Sequence, residues 1–120
     1  MGNLSIVESN KNIPFKLERI YYLHGIPSTV ERGVHAHKKL QQLIIAISGS
    51  FDITLDDGKN KITYHMNDPK KGLYICPMIW REINNFSNNA VLMVLASTKY
   101  EEDDYIHNYD DFIQYKENTV

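Results

Sequence analysis

The strongest constraint on the fold of this chain is a succession of short β-favouring segments separated by turn signals. Residues 51–55, FDITL, alternate apolar and polar side chains, which is typical of a strand with one buried face. Residues 56–58, DDG, then mark a tight turn, and residues 62–66 return to an extended pattern. This part of the chain therefore predicts two strands joined by a tight turn.

Further strands are predicted on both sides of this pair. Residues 42–47, QLIIAI, form a nearly continuous apolar run that is typical of a buried strand. Residues 90–96, AVLMVLA, would suit a helix by propensity alone, but their place after a run of strands favours another buried strand. The other predicted strands are residues 4–8, 15–23, 72–76 and a strand that begins with the HAH segment at His35. Residues 101–115 are predicted to form a short helix or irregular turns.

Many short strands in 120 residues predict one all-β domain, residues 1–120, built as an antiparallel sandwich or small barrel with a mouth open to a ligand. The hydrophobic fraction of 42% is enough to bury a core. The net charge of −2 gives no support for binding to nucleic acid or an anionic membrane, and no apolar run is long enough to span a bilayer. The single cysteine, Cys76, fits a reducing compartment, so we expect a cytoplasmic protein.

The segment RGVHAHKK, residues 32–39, places two histidines two positions apart. On a strand, His35 and His37 share one face, and the small apolar residues Val34 and Ala36 share the other. Both imidazoles can therefore point into a cleft. Three interpretations follow, in which the pair holds a metal ion, transfers a proton or only packs.

The residues around the histidine pair do not complete a ligand set for a metal ion. Two imidazoles can bind Zn, Fe or Mn, and a cupin-type barrel would add a carboxylate shortly afterwards and a third histidine from a later strand. The carboxylate position holds Gln41, followed by the neutral Gln42, and residues 77–82 contain no histidine, which leaves Glu82 as the one replacement. Arg32 beside the pair would also repel a cation. We therefore predict no metal.

Five ordered segments, RGVHAHKKLQQ, GSFDITLDDG, GLYICPMIW, FSNNAVLMVLAS and YEEDDYIHNYDDF, resemble the sugar 3,4-ketoisomerases that act on dTDP-4-keto-6-deoxyglucose. The resemblance covers nearly the whole chain. It implies a metal-free, cofactor-free cupin with a jelly-roll β-sandwich fold, and a homodimer that exchanges N-terminal strands. It also implies a product that feeds the synthesis of 3-amino-3,6-dideoxyhexoses for bacterial surface glycans such as lipopolysaccharide and S-layer glycan.

The resemblance also implies site residues. His35 and His37 fall on the family's paired catalytic histidines, Tyr22 falls near a tyrosine of the same pocket, and Arg32 falls on the arginine that opens the histidine motif. Two positions depart from the family pattern. Arg81 stands where the family usually has a histidine after the tryptophan. Met1 stands where the family has an arginine, so the chain is expected to begin late, with weaker nucleotide binding if that arginine holds the nucleotide.

These residue types suit the implied chemistry. Moving a ketone from C4 to C3 requires removal of the C3 proton, an enediol, and protonation of C4. A neutral imidazole is a suitable base near pH 7 and becomes the acid for the next step. We favour His37 as the carbon acid/base and His35 as its partner, with the Tyr22 hydroxyl as a donor to the developing enediolate. No redox cofactor is required, and the sequence has no G-x-G-x-x-G stretch.

The nucleotide needs cations for its diphosphate and a flat surface for its base. Arg32 and Arg81 are candidates for the phosphates, with a solvated surface charge as the competing interpretation for Arg81. Lys38 is a weaker candidate, since it more often belongs to a solvated face. Tyr74 and Trp80 are candidates for stacking, although core packing is the favoured interpretation for both. Residues 101–111 are predicted to be a solvated acidic segment that is anchored by the aromatic residues Tyr105, Tyr109 and Phe112.

The prediction is therefore an isomerase that acts on a dTDP-linked keto sugar. Two other classes remain open at this point. One is a non-catalytic cupin that binds a sugar nucleotide, and the other is a metal-dependent cupin enzyme.

Overall fold

The computed structural model describes residues 2–118, and Met1 lies outside the described residues. Between residues 2 and 118 it has nine strands, one 3₁₀ turn (Glu102–Asp104) and one α-helix, α1 (Tyr109–Asn118). The strands are β1 (Arg19–Leu23), β2 (Arg32–His37), β3 (Gln42–Ser48), β4 (Phe51–Asp56), β5 (Lys61–Met66), β6 (Gly72–Ile75), β7 (Trp80–Asn84), β8 (Val91–Ala96) and β9 (Tyr105–Ile106).

The strands form two antiparallel sheets that pack as a sandwich. One sheet has the strand order β1-β8-β3-β6, and the other has the order β5-β4-β7-β2-β9. This is the predicted all-β jelly-roll architecture with a short C-terminal helix. No helix within residues 2–118 combines the length and apolar character that a membrane span requires.

The main core lies between the sheets and follows from the sequence pattern. In β4 the apolar residues Phe51 and Ile53 are fully buried, as the alternation predicts. The run in β3 contributes Ile44, and β8 contributes Leu92 and Val94. Residues 90–96 therefore form a buried strand, as their position among strands predicted.

A second core cluster lies under α1. Ala36, Trp80, Ile106 and Phe112 are buried together on the other side of the β2-containing sheet. The Trp80 ring contacts the rings of Tyr109 and Phe112, with centroids 5.3 Å and 5.9 Å away. Trp80 is thus a packed core residue, and the core-packing interpretation holds for it.

Three of the strand predictions differ from the structure. The strand predicted over residues 15–23 begins only at Arg19. The HAH segment ends β2, which begins at Arg32, and does not begin a strand. Residues 4–8 form no strand within this chain, and the side chains of Leu4 and Ile6 are 86% and 59% exposed. The sequence of residues 4–8 is suited to a strand, but no strand within the described part of the chain pairs with them.

The turn between β3 and β4 requires a glycine, which gives a stability prediction. Gly49 has φ +65°, and a Cβ there would meet Ser87 Oγ, Asn89 Oδ1 at 2.6 Å and Ala90 Cα at 2.9 Å. We expect Gly49→Ala to lower the free energy of unfolding by about 3 kcal/mol, since backbone strain and a steric clash add. Urea unfolding measures the change.

Gly25→Ala is the matched control for this substitution. Gly25 also has a positive φ, +61°, but no atom of residues 2–118 lies within 4 Å of its added Cβ. We expect it to show the strain alone, about 1 kcal/mol. Equal losses for the two variants would contradict the predicted clash at Gly49.

Candidate active site

An irregularity in β2 directs the histidines. Val34 and His35 both lie opposite Arg81 of β7, so β2 contains a bulge at this point. The residue before the bulge, Gly33, has φ +71°, and a Cβ there would lie 3.2 Å from Ile83 Cδ1 and 3.3 Å from Arg81 Cγ. A bulge changes the direction of the side chains that follow it, and here it sets His35 against the space between the sheets.

The two imidazoles are in direct contact. The Nε2 atoms of His35 and His37 are 3.1 Å apart, and the rings meet edge to face with centroids 4.7 Å apart. His35 lines the space between the sheets, while His37 lies against it and is only 1% exposed. Ala36 points the other way, into the cluster under α1. Both histidines thus lie on one face of β2.

A carboxylate from the C-terminal segment sets the tautomer of His37. His37 Nδ1 lies 3.2 Å from Asp104 Oδ2, and the same carboxylate accepts hydrogen bonds from the backbone N–H groups of Lys39 and Leu40, at 2.8 Å and 3.1 Å. A carboxylate only accepts hydrogen bonds, so the proton of the neutral His37 ring is on Nδ1. Its Nε2 therefore presents a lone pair, and His35 Nε2–H donates to it.

A polar chain crosses the cavity between the sheets. Arg81 of β7 donates through Nη1 to Gln42 Oε1 of β3, and Gln42 Nε2 donates to the Tyr21 hydroxyl of β1 over 3.1 Å. Arg81 is 2% exposed, so the interpretation of a solvated surface charge is wrong. The cavity has a volume of about 190 Å³, and it is lined by Tyr21, Leu23, Arg32, Gly33, His35, Gln42, Ile44, Arg81, Ile83, Leu92 and Val94.

The electrostatics of the cavity keep the imidazoles neutral. Burial, followed by the nearby Arg81 cation, lowers the pKa of His35 to about 3 and that of His37 to about 2. Burial also lowers the pKa of Arg81, to about 10, so its guanidinium stays charged at pH 7. At neutral pH the site therefore combines two uncharged bases with a buried cation.

Comparison with known proteins identifies the family. Residues 1–117 match the FdtA family model, described as WxcM-like, C-terminal. The chain belongs to this family. It is 45% identical over 114 residues to a TDP-4-oxo-6-deoxy-alpha-D-glucose-3,4-oxoisomerase from Aneurinibacillus thermoaerophilus, which covers 95% of this chain and 82% of the relative.

Solved structures of 3,4-ketoisomerases superpose on the FdtA-family chain. A histidine-to-asparagine variant of QdtA from Thermoanaerobacterium thermosaccharolyticum, in complex with TDP-4-keto-6-deoxyglucose, has a TM-score of 0.95 at 40% identity, covering 99% of this chain and 86% of QdtA. WlaRB, a TDP-quinovose 3,4-ketoisomerase from Campylobacter jejuni, has a TM-score of 0.88 at 48% identity, covering 91% and 84%. These enzymes share the cupin-type fold of this chain.

Only some of the predicted site residues lie at the cavity. Arg32, His35 and Arg81 line it, with His37 in contact with His35. Tyr22 does not, because it lies on the outer side of β1 and is 60% exposed; the neighbouring Tyr21 lines the cavity instead. Since side chains alternate along a strand, the prediction chose the wrong member of the tyrosine pair.

Three other predicted binding residues also lie away from the cavity. Tyr74 is 38% exposed, and its hydroxyl donates to Gln41 Oε1 over 2.7 Å. The Lys38 ammonium lies 5.5 Å from the centre of the Tyr115 ring. Trp80 is enclosed under α1. In this structure none of the three faces the histidine pair.

The C-terminal segment supplies site residues that the sequence analysis missed. It was predicted to be solvated, which is wrong for Asp104 (8% exposed). Tyr105 of β9 pairs with His37, and its ring centroid lies 4.3 Å from that of His37 and 4.9 Å from that of His35. His107 stacks on Tyr105, with centroids 5.2 Å apart, and bonds to Glu102 Oε1 at 2.8 Å. Within the sequence, two signals point to this region: its density of aromatic and acidic residues, and the resemblance of residues 100–112 to the family.

Side chains of residues 2–118 form no cluster of three or more His, Cys, Asp or Glu residues that could hold a metal ion. Of the two histidine rings, His37 uses Nδ1 for Asp104, and its Nε2 faces His35. Glu82, the possible replacement ligand, alternates with Arg81 along β7 and so faces away from the cavity.

The lowered histidine pKa values predict how stability depends on pH. In the unfolded chain an imidazole binds a proton near pH 6.5, whereas folded His37 does so only near pH 2. Between these values the unfolded state binds more protons, so the free energy of unfolding falls as the pH decreases below about 6.5. We expect His37→Asn to remove about 1.4 kcal/mol per pH unit from this slope between pH 6 and 4.

Chemical unfolding at a series of pH values measures this slope. His24→Asn is the control, because His24 is exposed and lies outside the cavity. His24→Asn is expected to keep the native dependence of the free energy of unfolding on pH. If His37→Asn kept it as well, the buried, neutral state of His37 would be contradicted.

Proposed function

We propose that this protein is a 3,4-ketoisomerase that moves the keto group of a TDP-linked 4-keto-6-deoxyhexose from C4 to C3. The observation that carries the proposal is the neutral His35–His37 pair beside the buried Arg81 cation, in a member of a family whose relatives are named for this reaction. QdtA has been crystallised with TDP and, as a variant, with TDP-4-keto-6-deoxyglucose, which supports a TDP-linked sugar as the ligand.

His37 is the proposed acid and base at carbon. Its Nε2 takes the proton from C3, the C3–H electron pair forms the C3–C4 double bond, and the carbonyl electrons move to the C4 oxygen. The His37 imidazolium then gives a proton to C4, and the C3 oxygen becomes the new ketone as its hydroxyl proton passes through His35 to the C4 oxygen. The oxidation of one carbon balances the reduction of its neighbour, so the reaction needs no external oxidant or reductant.

Asp104 supports this assignment through the His37 tautomer. With its proton on Nδ1, the ring offers the Nε2 lone pair that a base needs, and the carboxylate stabilises the imidazolium that forms. That lone pair accepts a hydrogen bond from His35, which substrate binding replaces. His35 lines the cavity and is the proposed partner for proton transfer between the sugar oxygens.

Hydrogen-bond donors to the sugar oxygens come from Arg81 and Tyr21. Burial raises the pKa of the Tyr21 phenol, so it remains a donor at neutral pH. Tyr21 thus takes the role that the sequence analysis gave to Tyr22. Arg32 lines the same cavity from the end of β2, and it is the proposed contact for the diphosphate. We also propose a cytoplasmic location, which is supported by the nucleotide-linked substrate.

Proton NMR in deuterated water tests the function. With TDP-4-keto-6-deoxyglucose, we expect a 3-keto sugar to appear with deuterium at C4. His37→Asn is expected to lower kcat by at least about 10²-fold, because the base is removed. Asp104→Asn is expected to lower kcat as well, and His24→Asn, at an exposed histidine, is the matched control.

The outcomes separate the classes of protein. Saturable shifts of the ligand signals without a new sugar would make the protein a non-catalytic binding module. Activity that survives His37→Asn would refute the role of His37. Activity that requires an added divalent metal ion would favour the metal-dependent alternative.

We further propose a homodimer in which the N-terminal segments are exchanged. Residues 2–8 form no strand with the rest of residues 2–118, and their apolar side chains Leu4 and Ile6 are 86% and 59% exposed. The sheet edge at β1 is also open, and its outer side presents Ile20 and Tyr22, at 53% and 60% exposure. An unpaired segment with exposed apolar side chains and an open sheet edge are complementary, since strand addition satisfies both.

Light scattering coupled to gel filtration tests the dimer. We expect a mass twice that of the 14.0 kDa chain, and we expect the double substitution Leu4→Asp and Ile6→Asp to shift the protein toward a monomer, because charge at these sites prevents burial. Ile62→Asp is the control, since Ile62 is 55% exposed on β5 of the other sheet. A native monomer, or a dimer that the double substitution leaves intact, would contradict exchange.

A further inference from the structure

Arg81 is a buried cation whose hydrogen-bond partners are all neutral. Its side chain is 2% exposed, and Nη1 donates to Gln42 Oε1. Nε and Nη2 donate to the backbone carbonyl of Ile79, over 3.4 Å and 3.2 Å. Within residues 2–118, no carboxylate lies within ion-pair distance of the Arg81 guanidinium. Its positive charge is therefore not neutralised locally.

Burying the Arg81 cation without a counter-ion lowers the stability of the fold unless a bound ligand supplies the negative charge. A buried charge without a counter-ion loses hydration that neutral dipoles replace only in part. Two of the five guanidinium N–H groups have no acceptor among residues 2–118, and Arg81 lines the same cavity as His35. The guanidinium therefore has both charge and donors available to a bound anion.

Gln42 occupies the position where a carboxylate would neutralise Arg81. Its side chain is 2% exposed and lies on β3, across the cavity from β7. Its amide is held at both ends, because Oε1 accepts from Arg81 and Nε2 donates to the Tyr21 hydroxyl. A glutamate has nearly the same shape, so geometry alone would accept either residue.

We propose that Gln42 is a positioning residue that holds Arg81 in the cavity without neutralising it, so that the full guanidinium charge stabilises the enediolate. The inference rests on the proposed ketoisomerase function and deepens it. In this role the Gln42 side chain matters because it is uncharged, as well as because it forms hydrogen bonds.

The charges of the reaction explain why an uncompensated cation is useful. Before proton transfer the cavity holds two neutral imidazoles, a neutral sugar ring and the Arg81 cation. After transfer it holds an enediolate anion and the His37 imidazolium. The imidazolium has the Asp104 carboxylate as its partner, and the enediolate gives Arg81 a counter-charge at the sugar ring. Interactions that strengthen as charge develops lower the barrier, whereas interactions that are already complete in the ground state do not. A carboxylate at position 42 would satisfy Arg81 before the substrate arrives.

Gln42→Glu separates charge from geometry. The introduced carboxylate can still accept from Arg81, and the Tyr21 hydroxyl can turn to donate to it, so the hydrogen-bonded chain is retained. We expect kcat to fall about 10²-fold or more, with KM and the affinity for TDP changed far less, and with no loss of thermal stability. A native-like kcat in this variant would overturn the proposal.

Gln41→Glu is the matched control. It introduces the same charge one residue away, but Gln41 precedes β3 and is engaged away from the cavity, where its Oε1 accepts from the Tyr74 hydroxyl over 2.7 Å. Its kcat is expected to stay near the native value. An equal fall of kcat in both variants would mean that any added negative charge is harmful, which would overturn a specific role for Gln42.

Gln42→Met keeps the inference testable if Gln42→Glu does not fold. Methionine removes the acceptor for Arg81 without adding a charge, so kcat is expected to fall about tenfold, less than in the glutamate variant. An unchanged kcat in Gln42→Met would overturn the positioning role. Equal losses in the methionine and glutamate variants would overturn the role of charge.

Histidine NMR titration distinguishes failure of this inference from failure of the proposed function. Gln42→Glu is expected to raise the pKa values of His35 and His37, because it neutralises Arg81, whereas Gln41→Glu is not. The other charged or titratable groups around the two rings are the same in both variants: Arg19, Tyr21, Arg32, Glu102, Asp104, Tyr105 and His107. An inactive native protein would overturn the isomerase, and unmoved histidine pKa values would overturn the charge arrangement.

Discussion

The carboxylate of Asp104 is the interaction on which the site depends. It accepts hydrogen bonds from the backbone N–H groups of Lys39 and Leu40 and from His37 Nδ1, so one side chain joins the end of β2, the following loop and the C-terminal segment. These bonds fix the position of the His37 ring and its tautomer together. The remainder of the sandwich provides the low-dielectric surroundings in which that arrangement matters.

The cavity combines features that would be unfavourable in a protein without a ligand. The sheets bury two imidazoles, which lowers their pKa values, and they also bury the Arg81 cation. The two neutral imidazoles can accept a proton from carbon, and the nearby Arg81 cation stabilises the negative charge that results. The same burial that costs stability therefore prepares the site for one class of intermediate, an anionic enediolate.

The sequence predicted what depends on local pattern. Alternation identified β4, the apolar run identified β3, and the two-residue spacing placed His35 and His37 on one face. Arg81 was predicted to bind the ligand because a guanidinium suits phosphate oxygens, but the sequence did not predict that Arg81 is buried. Features that depend on register and on distant contacts were missed. The choice between Tyr21 and Tyr22 depends on which residues of β1 face inward, and residues 15–23 alternate too imperfectly to decide it.

Contacts between segments that are far apart in the sequence also could not be predicted from it. Asp104 lies 67 residues after His37, and no spacing rule connects them. Trp80 and Phe112 meet only because α1 returns over the β2-containing sheet. The acidic composition of residues 101–111 favoured a solvated segment, but the backbone donors at Lys39 and Leu40 provide one of those carboxylates with buried partners.

The long separation between His37 and Asp104 has a consequence for how the protein is made. The ribosome releases β2 well before the segment that carries Asp104, because the two residues are 67 positions apart. A nascent or partly folded chain therefore has its histidine pair but not the carboxylate that sets the proton on His37. The proton on His37 is therefore set only once the C-terminal segment has docked, so one contact between distant segments links completion of the fold to readiness of the base.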